Sequence, residues 1–323
     1  MNAIAESIVR YEPGFVESAV FFAVRERPEE RVYHRERSRL YGIGDPEKRE
    51  RAFHNLDAQW FARLGLADPI ERAVGEQPLV LSKVGHCLVA GAPEKKAEGA
   101  ELFVTPEAAG GKETKPSTCI LLQPASLLDA ASLLTFLRHE MLHIVDMIDP
   151  GFGYEPALPP AEGGPTHDAL LKNRYRVLWD TTIDGRMTRR GWAEAALRAD
   201  RLNDFAREFP MLGERTEDLF GGFFDRESHT HAELVAFARD PRNGARDCAA
   251  TVSPGSRCSL CGFPTFDFEP APERLPEAMI ARIAADFPQW RPERGLCGQC
   301  AELYRVREIS LRAARELPGA RSG

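Results

Sequence analysis

The residues best suited to chemistry lie in one apolar stretch, Ser126–Asp149, which contains the pentapeptide HEMLH from His139 to His143. In a helix, residues four apart project from the same side, so both imidazoles could bind one metal ion. Glu140 would lie about 100° round the helix, where its carboxylate can hold a water beside the metal. Burying two imidazoles and a carboxylate without a metal would be costly. The spacing therefore predicts a zinc site with Glu140 as the general base.

A single long helix is predicted to position these residues. Ser126 suits its N-cap, Asp129 occupies the third helical position as in a capping box, and Pro150-Gly151 ends the helix. One side of the helix is apolar at helical spacing and should pack into the core. This side contains Leu133, Leu137, Ile144 and Ile148.

The segments around this helix predict an α+β fold. Residues 1–75 have helical patterns that open at Asp45-Pro46 and Asp68-Pro69, and the charged run Arg25–Arg39 is expected to be a solvated helix face. Short apolar runs then predict three strands, which should form a small sheet laid against the HEMLH helix. These runs are Leu79–Ala90, Glu101–Thr105 and Thr118–Gln123.

Within the first of these runs, His86 and Cys87 are expected to be core residues. The polar segment Glu107–Pro116 and the Gly/Pro-rich segment Gly151–Pro165 are expected to be loops. Helices should follow at Asp168–Arg190, Trp192–Phe209 and Thr216–Phe224, and from Thr230 to Pro241.

A catalytic zinc takes three protein ligands, so a third must come from outside the HEMLH pentapeptide. Asp180 and Asp184 are four apart on a predicted helix and face the same way. Asp149 and Glu155 are the alternatives, whereas Asp146 is expected to cap or solvate the helix end.

These residues resemble the zincin metallopeptidases, and specifically the gluzincin branch, which pairs HExxH with a later helix bearing ExxxD. The resemblance covers roughly Leu79–Arg190 and implies a zincin-like hydrolase core whose substrate is a peptide or protein. His139, Glu140 and His143 match directly. Asp180 falls at the ligand position and Asp184 at the position that orients a ligand histidine, with Asp where the family has Glu. Which of the two aspartates binds the metal stays open at this point.

Zincin-type hydrolysis also needs a donor that stabilises the oxyanion. The sequence offers four candidates for it: Tyr154, His229, His231 and Arg186.

Four of the seven cysteines form two CxxC pairs, Cys258/Cys261 and Cys297/Cys300. This pattern predicts a closed structural zinc site and resembles a treble-clef finger, with a knuckle first and a helix N-terminus second. The predicted division of the chain is a helical region 1–75, a hydrolase core 76–240, a linker 241–257 and the cysteine module 258–323.

Composition narrows the function classes. Hydrophobic content of 43% and charged content of 28% are those of a globular protein, and a net charge of −7 disfavours nucleic-acid binding by the whole chain. Without a signal peptide or an apolar stretch of membrane-spanning length, we expect a cytoplasmic protein with no membrane contact.

SprT-type proteases also join HExxH to a C-terminal zinc module, so nucleic-acid contact through that module remains a secondary hypothesis. The alternative to a peptidase is a non-catalytic scaffold or regulatory protein acting through the cysteine module.

Overall fold

The computed structural model of the chain describes residues 7–25, 27–104, 115–160, 164–194, 196–241 and 257–316, with side chains in the last helix as far as Arg307. The chain divides into two compact units. The first comprises Met1–Pro156, Thr182–Arg201 and Phe224–His231, and the second comprises Ala157–Thr181, Leu202–Phe223 and Ala232–Gly323.

A four-stranded mixed sheet forms part of the first unit. Its strands are β1 (Val9–Tyr11), β2 (His86–Gly91), β3 (Gly99–Phe103) and β4 (Ser117–Leu122), in the order β1-β2-β4-β3. β1, β2 and β4 run parallel, and β3 is an antiparallel edge strand. Side chains alternate across such strands, and Cys87 and Ile120 are both fully buried on the inner face.

Six α-helices lie wholly within the described part of the first unit. They are α1 (Pro13–Val24), α2 (Glu30–Leu40), α3 (Pro46–Arg63), α4 (Asp68–Gly75), α5 (Pro78–Lys83) and α6 (Ala130–Ile148). Apolar side chains of α1, α3, α4 and α6 join the inner face of the sheet in one core. The small sheet packed on the HEMLH helix is therefore confirmed, within a fold that mixes α and β structure.

The HEMLH helix, α6, begins later than the sequence predicted. Asp129 is its N-cap and accepts a hydrogen bond from the backbone N–H of Ser132 at 3.1 Å. Ser126, the predicted N-cap, lies instead in a 3₁₀ turn, where its hydroxyl contacts Glu98 and accepts from Lys95. The predicted apolar face is confirmed, since Leu133, Leu137 and Ile144 are all buried.

The helices after α6 begin with α7 (Pro165–Arg189), a single long helix that carries both candidate aspartates. It ends at Arg189, and the turn that follows contains Gly191, whose φ of 66° is the left-handed conformation that glycine adopts most readily. The next helices are α8 (Leu197–Glu208), α9 (Thr216–Phe224) and α10 (His231–Arg239). The helix predicted over Trp192–Phe209 thus starts five residues late, and α9 matches its predicted bounds.

Three predictions for the first ninety residues were wrong in part, and one strand was missed. The run Leu79–Ala90 is split between α5 and β2 because Pro78 opens a short helix. His86 is exposed at the start of β2, whereas Cys87 is buried as predicted. β1 was not predicted, and the run Arg25–Arg39 is only partly solvated, since Tyr33 is fully buried.

The cysteine module has a small core of its own. Helix α11 (Glu277–Asp286) lies between the two CxxC pairs. Helix α12 (Gly298–Glu316) begins within the second pair and continues beyond it. Met279, Ile283, Trp290 and Tyr304 are buried around the cysteines. Most of the predicted linker, residues 242–256, lies outside the described residues. The same holds for most of the predicted loop Glu107–Pro116, as far as residue 114.

Candidate metal centres

The two histidines of α6 bring their ring nitrogens together. Nε2 of His139 lies 3.2 Å from Nε2 of His143, with the ring centroids 5.0 Å apart. Two nitrogens that share a tetrahedral zinc at its usual bond length are about 3.3–3.4 Å apart. The spacing of the two imidazoles therefore fits joint binding of one metal ion.

Asp180 completes a group of three. One ligand atom from each of His139, His143 and Asp180 lies within 4.8 Å of the other two, and all three residues are partly buried. Such a group, two histidines and a carboxylate, could hold a metal ion with a position left for another ligand.

Asp184 lies one turn after Asp180 on α7, and its carboxylate is engaged elsewhere. One oxygen, Oδ1, is 2.8 Å from Nδ1 of His139. The other, Oδ2, accepts from Nε of Arg201 at 2.7 Å and from Nη2 at 2.6 Å. Asp184 is only 2% exposed, so this carboxylate is fixed between a histidine and an arginine.

Glu140 points toward the edge strand of the sheet. The backbone N–H of Ala100 on β3 donates to Oε2 of Glu140 at 2.9 Å. A Cβ on the neighbouring Gly99 would lie 3.3 Å from the same oxygen, so a glycine there lets β3 and this carboxylate approach closely. β3 and α6 are thus joined at the residue predicted to be the general base.

Asp146 was assigned wrongly from the sequence. Asp146 is 3% exposed and accepts from Nη1 and Nη2 of Arg186 at 2.7 and 2.6 Å. It therefore neither caps nor solvates the end of α6, because both its oxygens are bound by an arginine. The guanidinium of Arg186 is held by the same two bonds, which makes it a weaker candidate for the oxyanion donor.

The remaining candidates divide by exposure. Tyr154 and His231 contact each other edge to face, with centroids 5.6 Å apart, and His231 is buried. Burial lowers the pKa of His231, opposed in part by Glu155, and burial also raises the pKa of Tyr154. His229 is half-buried, and its Nδ1 lies 2.8 Å from Nη2 of Arg226.

Of the alternative third ligands, Glu155 is exposed, as the sequence suggested. Asp149 accepts from the backbone N–H of Gly151 at 2.9 Å in the turn that follows α6. Neither belongs to the group that could hold a metal among the described residues.

The four paired cysteines form the second group. Their ligand atoms all lie within 4.8 Å of one another, and Sγ of Cys258 is 3.9 Å from Sγ of Cys300, as Cys261 is from Cys297. The edge of a tetrahedron of thiolates on zinc is about 3.8 Å. The predicted pairing of two CxxC segments is thus matched by the geometry.

Backbone groups favour the thiolate form of one of these cysteines. Burial raises the pKa of Cys258, but N–H donors from Cys261, Cys297 and Leu260 outweigh it and bring that pKa to about 7. Two of these donors lie 3.3 and 3.4 Å from its sulfur. Hydrogen bonds of this kind stabilise the anion, which is the metal-binding form.

Two contacts at the histidine group were not found from the sequence. Arg201 lies on α8 among other charged residues, and Ala100 contributes only a backbone N–H. No nearby sequence pattern predicts either contact, because both depend on how segments distant in sequence pack together.

Comparison with known proteins does not assign the chain to a family. No model of a protein family matches the chain, and neither curated proteins nor solved structures give a match. In the part of the chain that the structure describes, none of the helices has the length and apolarity needed to cross a bilayer.

Proposed function

We propose that this chain is a zinc-dependent hydrolase, and more specifically a peptidase. The observation that carries the proposal is the 3.2 Å separation of the two Nε2 atoms, with a carboxylate oxygen of Asp180 close to both. The partial exposure of all three residues leaves room for a substrate to reach the metal. A catalytic zinc site differs from a structural one in having three protein ligands and a fourth position for water or substrate.

In this proposal His139, His143 and Asp180 hold the zinc, and Asp184 orients His139. A carboxylate on Nδ1 directs Nε2 toward the metal, the usual arrangement for a zinc-bound histidine. With both its oxygens already bonded, Asp184 suits this orienting role and Asp180 suits the role of ligand. This is the assignment that the gluzincin resemblance implies.

A zinc ion held there would lower the pKa of a bound water and polarise the substrate carbonyl. Glu140 would accept the proton of the attacking water and later return it to the leaving amine. The N–H of Ala100 fixes one oxygen of Glu140, and the other oxygen remains available for the water. A fixed carboxylate is a better base than a freely rotating one because less reorganisation precedes the transfer.

A peptide substrate fits the edge strand. The N–H of Ala100 reaches Glu140 on α6 rather than β4, so it projects from the outer edge of the sheet. An extended peptide can pair with the rest of such an edge through its main chain, while the N–H of Ala100 itself stays bonded to Glu140. Pairing along β3 would bring its carbonyl groups past Glu140.

For the oxyanion donor we favour Tyr154 and His231. Arg186 is bound to Asp146, and Nδ1 of His229 is bound to Arg226. The other two rings contact each other, and each has a polar atom suited to donating a hydrogen bond.

The four cysteines would hold a second, structural zinc. The scaffold alternative has one observation in its favour, the exposure of Phe263 (72%) and Phe266 (57%) next to the first CxxC pair. Exposed aromatic side chains are common at interaction surfaces for proteins and single-stranded nucleic acids. In that alternative the histidine group would bind metal without turnover.

The experiment that separates these functions replaces Glu140 by Gln. We expect E140Q to keep its zinc and its fold, because Glu140 is not a ligand and Gln has nearly the same shape. Peptide cleavage should fall by about 10²–10⁴-fold, since an amide cannot accept the proton of the water.

Wild type and E140Q are screened in parallel on a peptide library, with zinc content measured in both. Equal cleavage by the two proteins would refute the role of Glu140. No cleavage by zinc-replete wild type across the library would favour the scaffold.

A further inference from the structure

The bidentate pair of Asp146 and Arg186 joins the two helices that carry the histidine group. Asp146 follows His143 by three residues on α6, so the two side chains are neighbours on one helix face. Arg186 follows Asp184 by two residues on α7. The side chains are 5% and 16% exposed, which places the pair largely out of water.

A second bond joins the same helices at the other end of the histidine group. His139 contacts Asp184 at 2.8 Å, and Asp146 lies seven residues after His139. Seven residues are about two helical turns, or about 10.5 Å along α6. Two attachments at that distance restrict both sliding and rotation of α6 against α7.

Stability alone is a weak reason for such a pair. Desolvating two charges costs about as much as their attraction returns, and well-packed apolar residues often replace buried ion pairs without loss. What apolar residues do not reproduce is direction: the two parallel N–H bonds of a guanidinium fix both the distance and the angle to a carboxylate.

We propose that Asp146 and Arg186 are positioning residues, which hold α6 and α7 in the register that brings Asp180 to His139 and His143. This inference rests on the zinc site proposed above. It also explains why the acid three residues after His143 does not itself bind the metal, since both its oxygens are bound to Arg186.

The test measures zinc affinity in the full chain by titrating zinc alone after a chelator has removed the labile ion. D146L/R186M replaces the charges by apolar side chains of similar size. R186K keeps the positive charge but loses the bidentate geometry. We expect both proteins to have wild-type helix content and to bind zinc about 10–100-fold more weakly, the usual effect of losing an outer partner of a metal site.

The matched control is R37K. Arg37 forms another buried ion pair, with Nη1 donating to both oxygens of Asp57 and side chains 13% and 2% exposed, among helices that carry none of the proposed ligands. R37K should lower the thermal midpoint and leave zinc affinity unchanged. A merely structural role for Arg186 predicts the same behaviour in R186K.

Wild-type zinc affinity in folded D146L/R186M would overturn the inference. If D146L/R186M does not fold, the zinc affinity of R186K is the deciding measurement. Wild-type zinc affinity in R186K would also overturn the positioning role. H139A/H143A tests the underlying site: if it keeps its full zinc content, the proposed function fails together with the inference. Loss of zinc in H139A/H143A with unchanged affinity in the pair variants refutes the positioning role alone.

Discussion

Gly185, between Asp184 and Arg186 on α7, is the position where the structure predicts the largest effect from the smallest change. A Cβ added there would lie 1.9 Å from the carbonyl oxygen of Phe224 and 2.7 Å from its carbonyl carbon. Both are backbone atoms, which cannot rotate away as a side chain can. The same oxygen also accepts a hydrogen bond from Arg189, which fixes it further.

The magnitude of the G185A effect follows from these distances. Real Cβ atoms essentially never approach within 3.0 Å, so α7 and Phe224 must separate by at least about 1.1 Å. Overpacking of this kind costs about 1–3 kcal/mol, and a backbone clash belongs at the upper end. Alanine returns about 1 kcal/mol through its better helix propensity. The net expectation is a loss of about 2 kcal/mol in the free energy of unfolding.

A shift of α7 should also move Asp184 away from His139. The bond between Asp184 and His139 is 2.8 Å long, and lengthening it by about 1 Å would break it. G185A should therefore bind zinc more weakly as well as unfold more easily. Urea denaturation followed by circular dichroism measures the first quantity, and a zinc titration measures the second.

G222A is the control, since a Cβ there meets no atom of the described chain within 4 Å. In helix α9 this change should be neutral or stabilise by up to about 1 kcal/mol. If G185A were as stable as G222A, the close approach of α7 to Phe224 would be wrong.

Two further predictions concern the metal groups. D180N should weaken zinc binding more than D184N, because a ligand contributes more than the residue that orients one; the reverse order in zinc titrations would exchange their roles. The purified chain should contain two zinc ions, of which H139A/H143A loses the labile one and C258S the tight one, as measured by elemental analysis; one zinc per chain, lost only in C258S, would remove the catalytic site.

The sequence predicted the parts of the site that depend on local spacing. His139 and His143 are neighbours in any helix, so their convergence needed only the helix itself. The two cysteines of each CxxC pair likewise needed only a short turn. The start of α6 was missed because Ser126 and Asp129 are both good N-cap residues. The choice between them depended on Glu98 and Lys95, which bind Ser126 from another segment.

The parts that depend on packing between segments could not be read from the sequence. The pattern DxxxD left Asp180 and Asp184 equivalent, and only the position of His139 and Arg201 around Asp184 distinguishes them. β1 is three residues long and becomes recognisable as a strand only by pairing with β2. Short apolar runs are ambiguous for the same reason, and Pro78 turned one of them into a helix.

The two candidate metal groups differ in a way that bears on their roles. In the cysteine group, Cys258 and Cys297 are buried, four sulfurs fill a tetrahedron and backbone N–H groups support the thiolates. All four positions of a zinc ion would be taken by protein there, which suits a structural metal. The histidine group offers three ligand atoms on partly exposed side chains, and the edge of a sheet holds the carboxylate of Glu140, the proposed base. Its geometry is maintained from outside by Asp184, Arg201 and the Asp146–Arg186 pair. A site that holds its ligands so firmly while leaving one position open is better suited to catalysis than to stabilising the fold.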